Sequence, residues 1–240
     1  METNNFNYVQ SEQETSAISR TFMASVFSWM FAALAITSVV AYYFAHDSTL
    51  FSTLVNVTLG KLTTLGYVVM FAPLAFILVI SFGFNRLSYP ILLLLFLLFS
   101  GVMGMSLSFI FQQYTSGSIY GTFAAASGMF GLMAVVGYTT KTDLTKFGSI
   151  MMMGLVGIII ASVINWFLQS DSMSYIISFI GVLVFTGLTA YDVQKLKRIG
   201  AGVEYGTEVA SKLVIMGALN LYMDFLNLFL FLLRIFGDRK

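Results

Sequence analysis

The stretch Leu213-Val-Ile-Met-Gly-Ala-Leu-Asn-Leu-Tyr-Met-Asp-Phe-Leu-Asn-Leu-Phe-Leu-Phe-Leu-Leu233 decides the fold, because it is long enough to cross a bilayer yet carries an acid, Asp224, near its middle. Asn220 lies four residues before Asp224 and Asn227 three residues after it, so the three share one helix face. A carboxylate near the bilayer centre costs at least about 2.5 kcal/mol on insertion scales. We therefore expect other helices to cover this face. The alternative interpretation is that this polar face only stabilises the packing of neighbouring helices.

The composition indicates an integral membrane protein. Of 240 residues 58% are hydrophobic and only 10% are charged, and the mean hydropathy is +0.87, whereas soluble domains have about 25% charged residues. The net charge of +1 and the scattered basic residues give no surface for nucleic acid. The chain has no Cys and one His, His46, which excludes thiolate and His-rich metal sites.

Seven apolar runs are separated by short polar segments. They span approximately residues 21–44, 62–82, 90–111, 119–138, 147–168, 173–191 and 213–233. We predict an all-α integral membrane protein, a seven-transmembrane helix bundle with the seventh helix central. Residues 1–20 are predicted to form a flexible polar N-terminal tail, residues 21–236 the single transmembrane domain and residues 237–240 a C-terminal tail. The longest polar connections predicted are 45–61 and 193–211.

The fourth run carries a face of small residues that would allow another helix to approach closely. These residues recur at spacings of three and four and are Gly121, Ala124, Ala125, Gly128 and Gly131.

Basic residues predict that the N-terminus is cytoplasmic. In that orientation eight of them lie on the inner side, namely Arg20, Arg86, Lys141, Lys146, Lys195, Lys197, Arg198 and Lys212. Four lie outside, namely Lys61, Arg234, Arg239 and Lys240. Three of these four are at the C-terminus, so the seventh helix either ends outside against the bias or re-enters. A full crossing is favoured, because roughly 21 residues suffice to span.

Two acids lie within or at the end of an apolar run. Asp192 closes the sixth helix, with Thr189 on the same face, and Asp224 lies inside the seventh. Asp224 is twelve residues past Lys212, roughly 18 Å along a helix, so Asp192 and Asp224 are expected at different depths in the membrane. The acids meet only if the sixth helix continues through about Ile199 and the seventh begins near Thr207.

If Asp192 and Asp224 meet, they would share a proton and form a proton-operated latch, or an oxygen-rich site for a hard cation such as calcium. If they do not meet, one acid is interfacial and the other is hydrogen-bonded to Asn220 and Asn227. The residues alone leave both readings open.

Two segments resemble the Bax inhibitor family, the transmembrane Bax-inhibitor-motif proteins and their bacterial relatives. They are Thr189-Ala-Tyr-Asp-Val-Gln-Lys195 and Ala218-Leu-Asn-Leu-Tyr-Met-Asp-Phe-Leu-Asn-Leu-Phe229, the latter followed by Leu232-Leu-Arg-Ile-Phe-Gly237. The resemblance implies a seven-helix bundle around the last helix and a pH-dependent calcium leak. It also implies that Asp192 and Asp224 form the pH sensor and gate and contact the calcium ion.

The resemblance also implies a latch arginine at the cytoplasmic end of the second helix. The aligned position here is Gly83, and Arg86, three residues later, is the candidate latch. The acid that the calcium-leak relatives carry within the second helix is absent, since the region reads Met70-Phe-Ala-Pro-Leu74.

We therefore expect a pH-sensitive calcium leak channel that is not an enzyme, has no cofactor, and whose partners are the lipid bilayer and Ca²⁺. Its predicted location is a bacterial cytoplasmic membrane. The alternative is a non-conducting regulator that binds a membrane protease or channel. An intramembrane aspartyl protease is a weaker reading, because Tyr191-Asp192 fits that class but Leu221-Tyr-Met-Asp224 lacks its Gly-x-Gly-Asp motif.

Overall fold

The computed structural model describes residues 2–56, 59–204 and 206–240, with side chains from Ala17 onward. Within these residues the chain forms nine helices and one two-stranded hairpin. They are α1 (Glu2–His46), α2 (Ser48–Leu54), β1 (Val55–Asn56), β2 (Lys61–Leu62), α3 (Thr64–Gly83), α4 (Tyr89–Leu107), α5 (Ile110–Gln113), α6 (Ser116–Thr139), α7 (Thr145–Leu168), α8 (Asp171–Gly202) and α9 (Glu208–Phe236).

In the part of the chain that the structure describes, seven helical segments are long and apolar enough to cross a membrane, which confirms the all-α membrane fold. They are α1 from Ala17, α3, α4 together with α5, α6, α7, α8 and α9. The helix α1 includes residues 2–20, where the sequence predicted a flexible tail. The side chains of Glu2, Glu12 and Glu14 lie outside the described residues.

The predicted loop over residues 45–61 contains local structure. Asp47 caps α2, since its Oδ1 accepts hydrogen bonds from the backbone N–H of Thr49 at 2.8 Å and of Leu50 at 3.1 Å. The strands β1 and β2 pair antiparallel, with Val55 opposite Leu62. This segment folds because it buries apolar side chains such as that of Leu54, which is 0% exposed.

The predicted connection over residues 193–211 is mostly helical, which corrects the sequence analysis. The helix α8 continues to Gly202 and α9 begins at Glu208, so the connection shortens to residues 203–207. Val193, Leu196 and Gly200 recur at helical spacing and are buried, while Lys195 is exposed. We call residues 193–202 the α8 extension.

The chain divides into two compact units. The first unit comprises Met1–Ser25, Ser116–Tyr205 and Asn220–Asp238. The second comprises Val26–Thr115, Gly206–Leu219 and Arg239–Lys240. The assignment of residues 21–236 to a single domain stays a prediction.

The second half of α9 forms the core of the first unit. The ring of Phe225 packs edge-to-face against Phe123 and Phe130 of α6, with centroids 5.3 and 5.6 Å apart. Of the seven spans α9 is the most buried, with 67% of its most apolar window inside the protein against 50% for α8. The seventh apolar run is therefore the core helix, as the sequence predicted.

In the second unit, α1 and α4 approach closely. Thr37 Oγ1 donates to the carbonyl of Ser100 at 2.9 Å. A Cβ at Gly104 would lie only 2.6 Å from the Thr37 carbonyl oxygen, so glycine is required for this packing. The C-terminal residue also bonds within this unit, because Lys240 Nζ donates to the Phe111 carbonyl at 2.7 Å.

Candidate functional site

Close packing of α6 and α7 fixes the backbone of α8 just before Asp192. A Cβ at Gly137 of α6 would overlap the carbonyl of Ala190, and a Cβ at Gly148 of α7 would overlap the ring of Tyr191. Only glycine allows this approach without displacing α8. Asp192 follows directly and is half-buried.

Asp224 lies inside the most buried part of α9. Its side chain is only 5% exposed, and Leu221, Phe225 and Leu228 around it are also buried. Its Oδ2 atom has no hydrogen-bond partner among the described residues. A buried polar atom left unpaired costs about 1–3 kcal/mol, so a proton or a cation bound to this oxygen would stabilise the folded protein.

The structure brings Asp192 and Asp224 together. Their carboxyl groups lie close enough to interact directly. Two ionised carboxylates at this range repel each other, and a proton shared between them would remove that repulsion. Lys195, three residues further along α8, lies close enough for its positive charge to act on Asp192. The sequence predicted that the acids would meet only if the sixth helix continued through about Ile199 and the seventh began near Thr207. Both conditions are met, because α8 continues past Ile199 and α9 begins at Glu208.

The predicted supporting residues make their hydrogen bonds elsewhere. Thr189 Oγ1 donates to the Phe185 carbonyl at 2.7 Å, and Asn227 Nδ2 donates to the Met223 carbonyl at 2.8 Å. Asn220 is exposed. The hydrogen bonds described for Thr189 and Asn227 thus go to their own helix backbones, and the supporting role of these three residues stays a prediction.

A buried glutamine ties the α8 extension to the loop between α6 and α7. Gln194 Nε2 donates to the Thr142 carbonyl at 2.8 Å, and its Oε1 accepts from the Leu144 N–H at 2.9 Å. Gln194 is only 6% exposed, so these bonds are partly shielded from water on the side of α8. We call this pair of bonds the Gln194 clamp.

An exposed ion pair extends the Gln194 clamp. Arg198 Nη2 lies 2.9 Å from Asp143 Oδ1 and also donates to Gln194 Oε1 at 3.0 Å. Hydrogen bonds from the Thr145 hydroxyl and N–H, together with Arg198, lower the pKa of Asp143 to about 2. Because both side chains are largely exposed, the pair adds little stability by itself.

A second contact holds the α8 extension to α6. Lys197 Nζ donates to the Tyr138 carbonyl at 2.8 Å and lies 4.7 Å from the centre of the Tyr138 ring. The Lys197 carbonyl in turn accepts from Ser19 Oγ of α1 at 3.0 Å.

Sequence reasoning missed the Gln194 clamp because it placed residues 193–211 in a loop. The available signal was the helical spacing of the apolar positions 193, 196 and 200, with charged residues between them. On that helix Gln194 falls on the buried side, where a polar side chain needs partners.

The candidate latch Arg86 belongs to the second unit. It is exposed and lies on the turn after α3, where its N–H donates to the Gly83 carbonyl at 2.9 Å. Its role as a latch stays a prediction.

The aspartate pair alone does not form a complete metal cage. Among the described residues no group of three or more His, Cys, Asp or Glu side chains could hold a metal ion. Calcium takes six to eight oxygen ligands, so Asp192 and Asp224 would supply only part of its coordination.

Comparison with known proteins supports the resemblance over almost the whole chain. Residues 19–240 match the family described as inhibitor of apoptosis-promoting Bax1. The inner membrane protein YbhL of Escherichia coli (strain K12) is 43% identical over 222 residues, which cover 92% of this chain and 93% of YbhL. An uncharacterized protein of Borreliella burgdorferi is 40% identical over 229 residues, covering 95% of this chain and 97% of that protein. Protein RP147 of Rickettsia prowazekii, also uncharacterized, is 41% identical over 221 residues, covering 92% and 91%. With its seven membrane-spanning helices, the chain therefore belongs to the Bax inhibitor family of multi-pass membrane proteins.

Proposed function

We propose that this protein is a pH-sensitive cation leak pathway, with calcium as the permeating ion, gated by Asp192 and Asp224. The observation that carries the proposal is the proximity of these two carboxyl groups on membrane-spanning helices. Family membership adds support, since the same two positions carry the resemblance to the calcium-leak relatives.

The gate follows from the charge of the pair. With one proton the carboxyls are joined and carry a single negative charge. Without it they carry two like charges in a poorly hydrated place, where their repulsion is strong and favours separation or a bound cation. A pathway beside Asp224 therefore changes both its width and its charge when one proton is gained or lost.

Calcium enters the proposal as a substrate. Carboxylate oxygens are the ligands that calcium prefers, and two of them with water would hold the ion only briefly. Conduction requires this kind of incomplete binding, because an ion held too tightly does not leave.

Flux in liposomes tests the proposal. The purified protein is reconstituted with a calcium dye inside the vesicles, and influx is followed from about pH 5 to pH 8, where folded proteins are generally most stable. We expect calcium entry above that of empty liposomes with a clear dependence on pH. The absence of flux at every pH would eliminate the channel.

The membrane and orientation are also proposed. The relative YbhL is named an inner membrane protein, and the excess of basic residues on one side favours a cytoplasmic N-terminus in a bacterial inner membrane.

A second candidate function, a non-conducting regulator of a membrane protease or channel, is favoured by one surface. The small residues of α6 point outward, and a Cβ at Gly121, Gly128 or Gly131 would meet nothing within 4 Å. An exposed face of this kind allows a helix of another protein to pack closely.

A bulky side chain on this face separates the two candidate functions. Gly128→Leu should abolish the cellular effect of a regulator while leaving flux in liposomes unchanged. A channel that acts alone should keep its cellular effect in this variant.

A further inference from the structure

A polar cleft of about 470 Å³ lies in the first unit, at the end of α8 opposite to Asp192. It forms where α7 ends, α8 begins and α9 ends. The polar side chains that line it include Asn165, Gln169, Asp171, Ser174 and Arg234. Its volume falls within the range of about 300–1,000 Å³ that is typical of small-molecule sites.

The cleft holds one positive and one negative side chain that do not neutralise each other. Among the described residues neither Arg234 nor Asp171 has an ion-pair partner. The guanidinium of Arg234 lies 5.9 Å from the centre of the Phe231 ring. Two opposite charges in one cleft without a direct ion pair are suited to a ligand that carries both charges itself.

Other polar groups of the cleft are held in place. Asn165 Nδ2 donates to Ser174 Oγ at 2.8 Å, and Asn165 Oδ1 accepts from the Ser170 N–H at 3.2 Å. These bonds join the last turn of α7 to the first turn of α8, so the wall of the cleft is preformed.

Trp166, which lines the cleft, is an aromatic side chain of the kind expected at a membrane surface and is 74% exposed. Near the cleft in the sequence, Phe167 and Phe236 are 79% and 70% exposed. Tryptophan is enriched at the level of the lipid headgroups, so the cleft lies at the depth where phospholipid headgroups are found.

We propose that this cleft binds a phosphodiester linked to a primary ammonium, the headgroup chemistry of phosphatidylethanolamine. The guanidinium of Arg234 binds the phosphate, for which its fork of N–H donors is suited. The carboxylate of Asp171 accepts hydrogen bonds from the ammonium. A choline headgroup has no N–H to donate, and a glycerol headgroup has no positive charge to offer Asp171. The site is separate from the aspartate pair, and the proposal holds whether or not the protein conducts ions.

Tryptophan fluorescence gives a direct test. The chain has two tryptophans, and Trp29→Phe leaves Trp166 on the rim of the cleft as the only one. This variant is reconstituted in bilayers in which lipids with brominated chains, which quench tryptophan on contact, carry ethanolamine, choline or glycerol headgroups. We expect half-maximal quenching at an about two- to fivefold lower mole fraction of the ethanolamine lipid, the range that one exposed ion pair supplies.

Two substitutions, made in the Trp29→Phe background, assign the preference to the cleft. Arg234→Gln should weaken quenching by all three lipids, because each of them carries the phosphate, and Asp171→Asn should bring the ethanolamine lipid to the level of the glycerol lipid. Arg239→Gln is the matched control, because it removes an arginine five residues after Arg234 that does not line the cleft. It should keep the full preference.

A soluble competitor identifies the source of the headgroup. If glycerophosphoethanolamine in the buffer relieves the quenching, the site accepts the free compound; if it does not, the site takes the membrane lipid. Equal quenching by all three headgroups would overturn the proposal. So would an unchanged preference in Asp171→Asn, which stays decisive even if Arg234→Gln fails to fold.

Discussion

The proximity of Asp192 and Asp224 couples the charges on two helices, so a proton gained or lost by one carboxyl group acts on the other. Asp224 is buried and Asp192 is half-buried, so each change of charge takes place with little water to screen it. The sequence predicted both residues from their places in apolar runs. It could not predict their contact, because that depends on where two helices end.

Replacing either acid by asparagine should remove most of the pH response of calcium flux. In Asp192→Asn or Asp224→Asn the amide can donate to the remaining carboxylate without a proton, so the repulsion between two carboxylates, on which the gate depends, is absent at every pH. The flux ratio between about pH 5 and pH 8 should then approach one in the liposome measurement. Asp143→Asn, outside the pair, should keep the wild-type profile. An unchanged profile in both pair variants would remove the gate from the mechanism.

Gly137 should tolerate no side chain. In Gly137→Ala the new Cβ would overlap the Ala190 carbonyl, and overpacking of this kind typically costs about 1–3 kcal/mol. Gly131→Ala on the same helix is the control, because its Cβ would meet nothing within 4 Å; it should be neutral or stabilising by up to about 1 kcal/mol. Thermal unfolding in detergent measures both. Equal melting temperatures would show that α6 and α8 adjust without cost.

At the scale of secondary structure, the α8 extension brings the pair together. With 32 residues α8 is about 48 Å long, whereas a bilayer core is about 30 Å thick, so part of the helix projects into water. Hydropathy predicted the apolar part of α8 well and missed the extension, because Lys195 and its charged neighbours resemble a loop. The helical spacing of the buried residues in the α8 extension did indicate that this segment is a helix.

Gln194→Leu should release the loop between α6 and α7 from α8. The substitution leaves the Thr142 carbonyl and the Leu144 N–H without their partners, at a total cost of up to about 1–3 kcal/mol because both bonds are only partly buried. Hydrogen exchange followed by mass spectrometry should show faster exchange over residues 140–146. Gln112→Leu, at an exposed position, should leave this region unchanged.

The ion pair between Asp143 and Arg198 should break only at low pH. Its partners lower the folded-state pKa of Asp143 to about 2, below the ordinary value of an aspartate, so the contribution of the pair is present above the unfolded pKa and is lost as the pH falls through the folded one. Because the chain has no cysteine, a spin label on Lys141→Cys reports on this loop alone. The label should become mobile between about pH 4 and pH 2. With Asp143→Asn added, it should be mobile throughout; a label that stays equally rigid there would show that the pair does not hold the loop.

At the scale of the whole molecule, the seven spans were predictable from hydropathy alone. Each apolar run corresponds to one helical span, because lipid leaves the backbone few alternatives to helix. The short helix α2 and the hairpin were not predicted. They depend on the cap at Asp47 and on the burial of Leu54, and neither is visible in the mean hydropathy of this polar segment.

The orientation can be tested with fusions at the C-terminus. A full seventh crossing places that end outside the cytoplasm, so alkaline phosphatase fused after Lys240 should be active and green fluorescent protein should be dark. Fusions before Met1 should give the reverse. A fluorescent C-terminal fusion would mean that the chain ends inside and that the orientation proposed here is wrong.

The order of synthesis gives the burial of α9 a further consequence. Chains emerge N-terminus first, so the most buried span is synthesised after the other six. Until residues 220–236 arrive, Asp192 has no carboxyl to share a proton with, and Phe123 and Phe130 lack the ring of Phe225 between them. A chain interrupted before α9 would therefore expose an unpaired acid and an open apolar groove inside the membrane.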